Sequence, residues 1–306
     1  MIVSRKLSLQ DLTSSVRREN LVYFVLSVVV TVVFVWLELT FNWKKLNDWA
    51  LPLPPFTLLG GGLTIFLGFR TNSAYGRWWE ARTLWGGIIN KSRTLVREAV
   101  IFTGKRGSIS PLARSLAFSQ IALVNAIRSH LRQADVIESI TPYLPVEEIE
   151  ALRKHQNIPV AILQKMGIAI QGAYEEGLVD TIQMTSLSGI LADLTDLLGG
   201  CERIKNTPLP RQYDVVPQVA ISLYSLLLPF GLVSTLHWWT PVISALVTFL
   251  FIAIDSIGRN MEEPFDNSIH DIPMSALCRT IEINLLQLIG EEDVPPPIQP
   301  VHGVIH

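Results

Sequence analysis

The chain has 306 residues, of which 49% are hydrophobic and 17% are charged. Soluble domains usually carry about a quarter charged residues, so this composition indicates a membrane protein if the apolar residues are clustered. The formal net charge of −2 lacks the basic excess of nucleic-acid-binding proteins, and we expect no nucleic-acid partner. The two cysteines, Cys201 and Cys278, lie far apart and give neither a disulfide framework nor a CxxC metal motif.

Three long stretches lack acidic and basic side chains, at residues 21–37, 51–69 and 215–254, the last interrupted only by His237. About 20 residues of α-helix cross a hydrocarbon core about 30 Å thick. The longest stretch therefore predicts two crossings, with a hairpin at residues 237–241. We expect four transmembrane helices in the lipid bilayer.

The basic residues indicate how these crossings are oriented. Lys and Arg are concentrated before the first crossing and after the second, whereas the loop between them holds only Lys44 and Lys45 and the second hairpin holds none. Cytoplasmic loops carry this excess, so both termini and residues 70–214 are predicted to be cytoplasmic. All eight tryptophans lie at or near the ends of apolar runs, which is typical of the membrane interface. The pattern predicts a multi-pass protein of the cell (inner) membrane.

The middle region is predicted to be helical rather than membrane-spanning. Within residues 186–198, the apolar side chains recur at i, i+3, i+4 and i+7, and no strand-like alternation is present. Residues 113–131 and 147–155 have similar patterns, so the fold class is predicted to be all-α. The predicted organisation has five parts: a cytosolic segment 1–20, a transmembrane pair 21–69, a cytosolic helical region 70–214, a transmembrane hairpin 215–258 and a cytosolic segment 259–306, proline-rich and extended or disordered at its end.

Catalytic motifs are missing from the sequence. It contains no GxxxxGK[ST] nucleotide loop, no GxSxG elbow and no HExxH metal motif. An intramembrane enzyme would need paired polar residues within a crossing, and a proton-coupled pump would often use carboxylates there, yet the apolar runs hold neither. We expect no enzymatic activity and no cofactor, and favour a passive pathway.

The second apolar run contains a distinctive helical face. Gly61, Ile65 and Phe69 are spaced by four residues and so share one side of a helix. Small residues in membrane helices usually serve close helix packing, which is one interpretation of Gly60–Gly62. The other interpretation is that this face lines a pore, and the spacing alone leaves both open.

Three motifs give the sequence a resemblance to a known family. Phe-Leu-Gly-Phe-Arg at 66–70, followed by Arg-Trp-Trp-Glu at 77–80, resembles the second-helix motif of the bestrophins. The segments at 201–210, Cys-Glu-Arg-Ile-Lys-Asn-Thr-Pro-Leu-Pro, and at 257–265, Ile-Gly-Arg-Asn-Met-Glu-Glu-Pro-Phe, resemble the family's entry to its third crossing and exit from its fourth. The resemblance covers roughly residues 1 to 290, and the motifs occur in the family's order.

The resemblance implies a homopentamer around one central pore that passes small monovalent ions. By position, the pore neck would be Gly61, Ile65 and Phe69, although the family commonly has bulky apolar residues at all three levels, so Gly61 is a departure. A second constriction, the cytosolic aperture, would fall at Ile204, or one residue further on at Lys205. The family is labelled for chloride, whereas bacterial members resemble cation-permeable channels, and an apolar neck leaves the sign of the ion open.

Calcium regulation is a further point of departure. Animal bestrophins bind calcium through an acidic cluster soon after the Pro-Phe that leaves the fourth helix. Here Pro264-Phe265 is followed only by Asp266 and Asp271, whereas calcium takes six to eight oxygen ligands. We therefore expect no metal site and no calcium gating. The alternative function is a membrane scaffold or assembly protein whose cytosolic helices form a docking surface.

Overall fold

The computed structural model describes residues 51–104, 108–301 and 303–305, together with scattered positions between 25 and 40. The N-terminal segment 1–20, parts of the first predicted crossing and the loop that contains Lys44 and Lys45 lie outside the described residues, and the positions of this crossing that are described are helical. The regular elements of the described residues are helices, and the prediction of an all-α fold is confirmed. In chain order these are α1 Leu53–Thr103, α2 Pro111–Leu131, α3 Val136–Ile140, α4 Val146–Leu152, α5 Ile158–Glu175, α6 Thr181–Asn206, α7 Gln212–Leu236, a 3-10 turn His237–Trp239, α8 Thr240–Glu262 and α9 Met274–Leu288.

The described residues fall into two compact units. Residues 78–207 and 263–301, with 303–305, belong to what we call the large unit, and residues 51–77 and 208–262 belong to the small unit. Helix α1 contributes residues to both. It does not end near Arg70, where the apolar run stops, and the following sequence to Thr103 contains no proline that would break the helix.

Four helices of the large unit, α2, α3, α5 and α6, begin at residues with capping side chains. The Ser110 hydroxyl accepts a hydrogen bond from the backbone N–H of Ala113 at 3.0 Å, and Pro111 occupies the first turn. Asp180 and Gln183 form a reciprocal capping box at the start of α6. These side chains satisfy backbone N–H groups that have no partner within the helix, so the sequence itself specifies where the helices begin.

The apolar stripe predicted within 186–198 forms part of the core of the large unit. Leu187, Leu194 and Leu198 are fully buried, and the same face of α6 continues to Cys201. Helix α2 lies in the middle of this core, packed against α5 and α9. The helix predicted at 147–155 ends earlier, at Leu152, and the next helix begins at Ile158, where the Asn157 side chain accepts a hydrogen bond from the backbone N–H of Val160.

The C-terminal tail is extended where it is described. Residues 291–300 have no regular structure, yet the Glu291 carboxylate lies 2.5 Å from the Arg114 guanidinium and Val294 packs against the core of the large unit. The tail is therefore an extended arm along this unit, one of the two predicted outcomes.

The small unit contains the apolar hairpin. Gln212–Glu262 is the one segment of the described residues that is both long and apolar enough to cross a membrane, and an 18-residue window within it has a mean hydropathy of 2.0. The 3-10 turn at His237–Trp239 divides it into α7 and α8, which pack against each other. His237 has a φ of 42°, a left-handed conformation that reverses the chain, and Trp238 and Trp239 are exposed at the turn.

Candidate pore-lining site

In the small unit, helix α1 has one face buried and the opposite face exposed. Leu63 and Leu67 are buried, with Ile221, Phe251 and Ile252 of α7 and α8 in the same cluster. The buried positions recur at three- and four-residue intervals, as helical geometry requires when one side of a helix packs against a neighbour.

The three predicted neck residues lie on the exposed face. Ile65 is 62% exposed and Phe69 is 66% exposed, whereas Leu67 between them is 1% exposed. At Gly61 an added Cβ would meet no atom within 4 Å. The structure therefore brings the predicted residues together on one apolar surface that has no packing partner among the described residues of the small unit.

The neighbouring glycines play different roles. An added Cβ at Gly60 would lie 2.7 Å from the Tyr224 hydroxyl, and one at Gly231 of α7 would lie 2.5 Å from the ring of Phe56. Both glycines therefore allow α1 and α7 to approach closely, as small residues do in membrane helices. Gly61 and Gly62 have open space at the same level of the helix. Among the described residues of the small unit, the packing interpretation of this glycine run holds for Gly60 and not for Gly61 or Gly62.

Such a surface could obstruct ions by a simple physical effect. Ile65 and Phe69 carry no charge and no hydrogen-bonding group, so they cannot replace the water that an ion must shed. A constriction lined with such side chains can gate by dewetting. Its lack of charge also means that it does not select the sign of the permeating ion.

The burial of Ile204 does not fit its predicted place at a cytosolic aperture. The side chain is 3% exposed and belongs to the core cluster of the large unit. A residue that lines a lumen between subunits should be exposed in the single subunit, whereas Asn206 and Thr207 nearby are exposed. The alternative, Lys205, is paired with Asp266 at 2.5 Å. Ile204 comes three residues after Cys201, so it continues the buried face of α6.

A cluster of charged side chains in the small unit, with two fully buried charges at its centre, was not predicted from the sequence. Arg70 is the residue after Phe69, and its guanidinium lies 2.5 Å from the Asp255 carboxylate and 3.2 Å from that of Asp214. Arg259 contacts the same two carboxylates, at 2.7 and 2.6 Å, and Glu262 lies 3.4 Å from Arg70. We call these five residues the Arg70 cluster.

One signal in the sequence could have revealed this cluster. Asp255 follows the uncharged run directly and stands four residues before Arg259 on an otherwise apolar helix. Charges within apolar helices are costly and are usually paired inside a bundle. The partner on α1 could not be identified because Arg70 looks like one more basic residue at a membrane boundary.

The acidic residues after Pro264-Phe265 already have protein partners. Asp271 is 2% exposed, and its carboxylate accepts hydrogen bonds from the Ser268 backbone N–H at 2.8 Å and from the Ser268 hydroxyl at 2.6 Å. Asp266 pairs with Lys205. In the part of the chain that the structure describes, no group of three or more His, Cys, Asp and Glu side chains is placed to hold a metal.

A small unit built from a long apolar hairpin and an exposed apolar helix face defines a helical membrane protein. The chain matches the family model of the bacterial and fungal bestrophin proteins over residues 1–287. The protein belongs to this bestrophin family, and it is an ion channel subunit. The family points to a channel rather than an enzyme.

Individual relatives agree with this membership. The chain is 37% identical over 248 residues to the voltage-dependent anion channel-forming protein YneE of Escherichia coli, which covers 81% of this chain and 80% of that protein. A relative with the same name from Salmonella typhi is 34% identical over 90% of this chain and 87% of its own length. The crystal structure of a bacterial bestrophin homolog from Klebsiella pneumoniae, carrying one point mutation, matches with a TM-score of 0.83 at 31% identity, over 89% of this chain and 100% of that one.

Proposed function

We propose that the protein assembles as a homopentamer with one central pore, and that Gly61, Ile65 and Phe69 of each subunit form its apolar neck. The observation that carries the proposal is the two-faced packing of α1. One face is buried against α7 and α8, and the other exposes Ile65 and Phe69, which have no packing partner among the described residues of the small unit. Rotational assembly of identical subunits would place five copies of this face around one axis.

The proposed topology has four crossings with both termini in the cytoplasm of a bacterial inner membrane. The segment Gln212–Glu262 is 51 residues long, and its 3-10 turn leaves 25 residues in α7 and 23 in α8. Each helix exceeds the length of about 20 residues that crosses a hydrocarbon core. The exposed Trp238 and Trp239 at the turn support an interfacial position on the side opposite the termini.

The conducted species are small monovalent ions. The names of the relatives from Escherichia coli and Salmonella typhi support anions, with chloride as the natural candidate. The neck side chains have no fixed charge that would exclude cations, so the sign of the ion depends on charges elsewhere along the pore.

Recording from a planar bilayer that contains the purified protein tests this function. Under a potassium chloride gradient we expect discrete currents, and a reversal potential near the chloride equilibrium potential would identify anions as the conducted ions. A reversal potential near that of potassium would assign cations instead. A protein that forms pentamers in detergent but passes no current would favour the scaffold alternative.

A further inference from the structure

The Arg70 cluster joins helices α1, α7 and α8 of the small unit. Arg70 comes from α1, Asp214 from the first turn of α7, and Asp255 with Arg259 from α8. Arg70 donates hydrogen bonds to both the carboxylate and the backbone carbonyl of Asp255, at 2.5 and 3.3 Å. The cluster therefore fixes a point on α1 relative to both helices of the hairpin.

The two central charges of the cluster are inaccessible to solvent. The side chain of Arg70 is 1% exposed and that of Asp255 is 0% exposed. Paired charges at such a position add little net stability compared with well-packed apolar side chains, because both lose their hydration, whereas loss of one partner leaves the other charge uncompensated. The pair therefore contributes little net stability, but it specifies one arrangement of the helices, because any other arrangement would leave a charge uncompensated.

This fixed point lies next to the proposed neck. Phe69 and Arg70 are consecutive, so they project about 100° apart around the helix, Phe69 to the exposed face and Arg70 to the buried one. The α1–α8 approach is also close here, because an added Cβ at Gly258 would lie 3.2 Å from the Thr71 hydroxyl and 3.5 Å from the Thr71 Cα. A shift or rotation of this turn of α1 would carry Phe69 with it.

We propose that Arg70 and Asp255 are positioning residues of the channel, which hold Phe69 at the radius and rotation that set the width of the neck. The inference rests on the proposed neck. It adds that a pair of residues outside the lumen determines the width of this neck. The cluster specifies the helix arrangement, and the neck responds to any change in that arrangement through the backbone that Phe69 and Arg70 share.

Charge-removing variants test this proposal in recordings from planar bilayers. Arg70→Gln and Asp255→Asn keep the approximate size of each side chain but remove its charge. We expect pentamers on size-exclusion chromatography and an open-to-closed ratio changed by about 5- to 150-fold, the range of ordinary coupling between sites. Because both changes break one interaction, the effect of the double variant should be smaller than the product of the single effects.

Arg70→Lys and Arg93→Gln are the controls. The lysine keeps a positive charge beside Asp255, so the open-to-closed ratio of Arg70→Lys channels should be close to that of the wild type. Arg93→Gln makes the same substitution on the same helix, at an exposed position whose guanidinium contacts Asn284, and should leave the ratio unchanged. If Arg70→Gln does not assemble, Asp255→Asn decides by the same criterion.

The proposal is overturned if assembled Arg70→Gln or Asp255→Asn channels keep the wild-type conductance and open-to-closed ratio while only their thermal stability falls. It is also overturned if the effects of the two substitutions multiply as independent changes. A wild-type protein without current would contradict the proposed channel function itself, which is a different outcome.

Discussion

The guanidinium of Arg70 lies 2.5 Å from the carboxylate of Asp255, although 185 positions separate the two residues in the sequence. The contact connects the helix of the proposed neck to the last helix of the apolar hairpin. It also explains how a bundle that is otherwise apolar accommodates Asp255, whose charge has both Arg70 and Arg259 as partners.

Truncation of the neck should increase conductance. With Ile65→Ala and Phe69→Ala combined, the proposed lumen widens on every subunit, so current should rise and discrimination between ions of different size should weaken, as measured in planar bilayers. The pentamer should remain intact on size-exclusion chromatography, because neither side chain packs within the small unit. An intact pentamer with unchanged conductance would show that this face does not line the pore.

Leu67→Ala is the matched control for this truncation. Leu67 is on the same helix but is 1% exposed, and loss of a buried leucine costs about 2–5 kcal/mol of stability. We expect a lower melting temperature for Leu67→Ala and a wild-type melting temperature for Ile65→Ala. A lower melting temperature for Ile65→Ala than for Leu67→Ala would mean that Ile65, and not Leu67, lies on the buried face in the assembled protein.

The adjacent glycines should respond differently to the same substitution. Gly61→Leu adds a bulky apolar side chain at a position where an added Cβ meets open space, so the channel should still assemble. Its current should fall because the added side chains would narrow the proposed neck. Gly60→Leu would place its side chain against Tyr224, and overpacking typically costs about 1–3 kcal/mol. Melting curves and bilayer currents of the two variants measure the difference. Loss of the pentamer in Gly61→Leu would assign this residue to packing between subunits.

Both native cysteines should resist thiol reagents in the folded protein. Burial raises the pKa of Cys201 and of Cys278 to about 12, and the reactive species is the thiolate. N-ethylmaleimide at neutral pH should leave both unlabelled in native detergent solution and label both after denaturation in SDS, as mass spectrometry would detect. Rapid labelling of the native protein would contradict the burial of these side chains.

The same shift predicts a loss of stability at alkaline pH. The folded pKa of each thiol is raised above the ordinary value of 9.0, so its contribution to stability is complete below pH 9 and is lost as pH rises toward 12. Replacing Cys278 by alanine should therefore reduce the dependence of the melting temperature on pH in this window. An unchanged slope would show that the thiol does not titrate there.

Topology can be measured with periplasm-active reporter fusions. Fusions at residues 45 and 239 should be active, and those at 150 and 306 should be silent, because Lys and Arg are concentrated on the side of residue 150. Positions 45 and 306 lie outside the described residues, so the fusions at 239 and 150 connect most directly to the structure. An active reporter at 306 would rule out four crossings.

Calcium should have no effect on the current. Asp271 has both carboxylate oxygens bound by Ser268, and Asp266 pairs with Lys205, whereas calcium would need several free oxygens together. Chelation or addition of calcium at the cytosolic face of the bilayer should leave the open-to-closed ratio unchanged. A micromolar calcium requirement would show that these carboxylates exchange their partners for the ion.

The helices of this protein were predictable because the interactions that specify them are local. Apolar side chains three and four residues apart indicate one buried helix face, and the stripe within 186–198 does form part of the core, including Leu187 and Leu194. Side chains such as Ser110 and Asp180 mark helix starts because they bond to backbone groups only two or three residues away. The spacing of Gly61, Ile65 and Phe69 likewise placed them together on one face.

The tertiary structure decided which side of each helix finds a partner. Ile204 and Phe69 are both apolar residues beside charged neighbours, yet one is 3% exposed and the other 66% exposed. Arg70 and Asp255 look in the sequence like charges at two membrane boundaries, and only the fold brings them to 2.5 Å. Helical periodicity depends on neighbours within a few residues, whereas burial and ion pairing depend on segments far apart in the chain, and that is why the shared helix face of Gly61, Ile65 and Phe69 could be predicted while the charged cluster behind it could not.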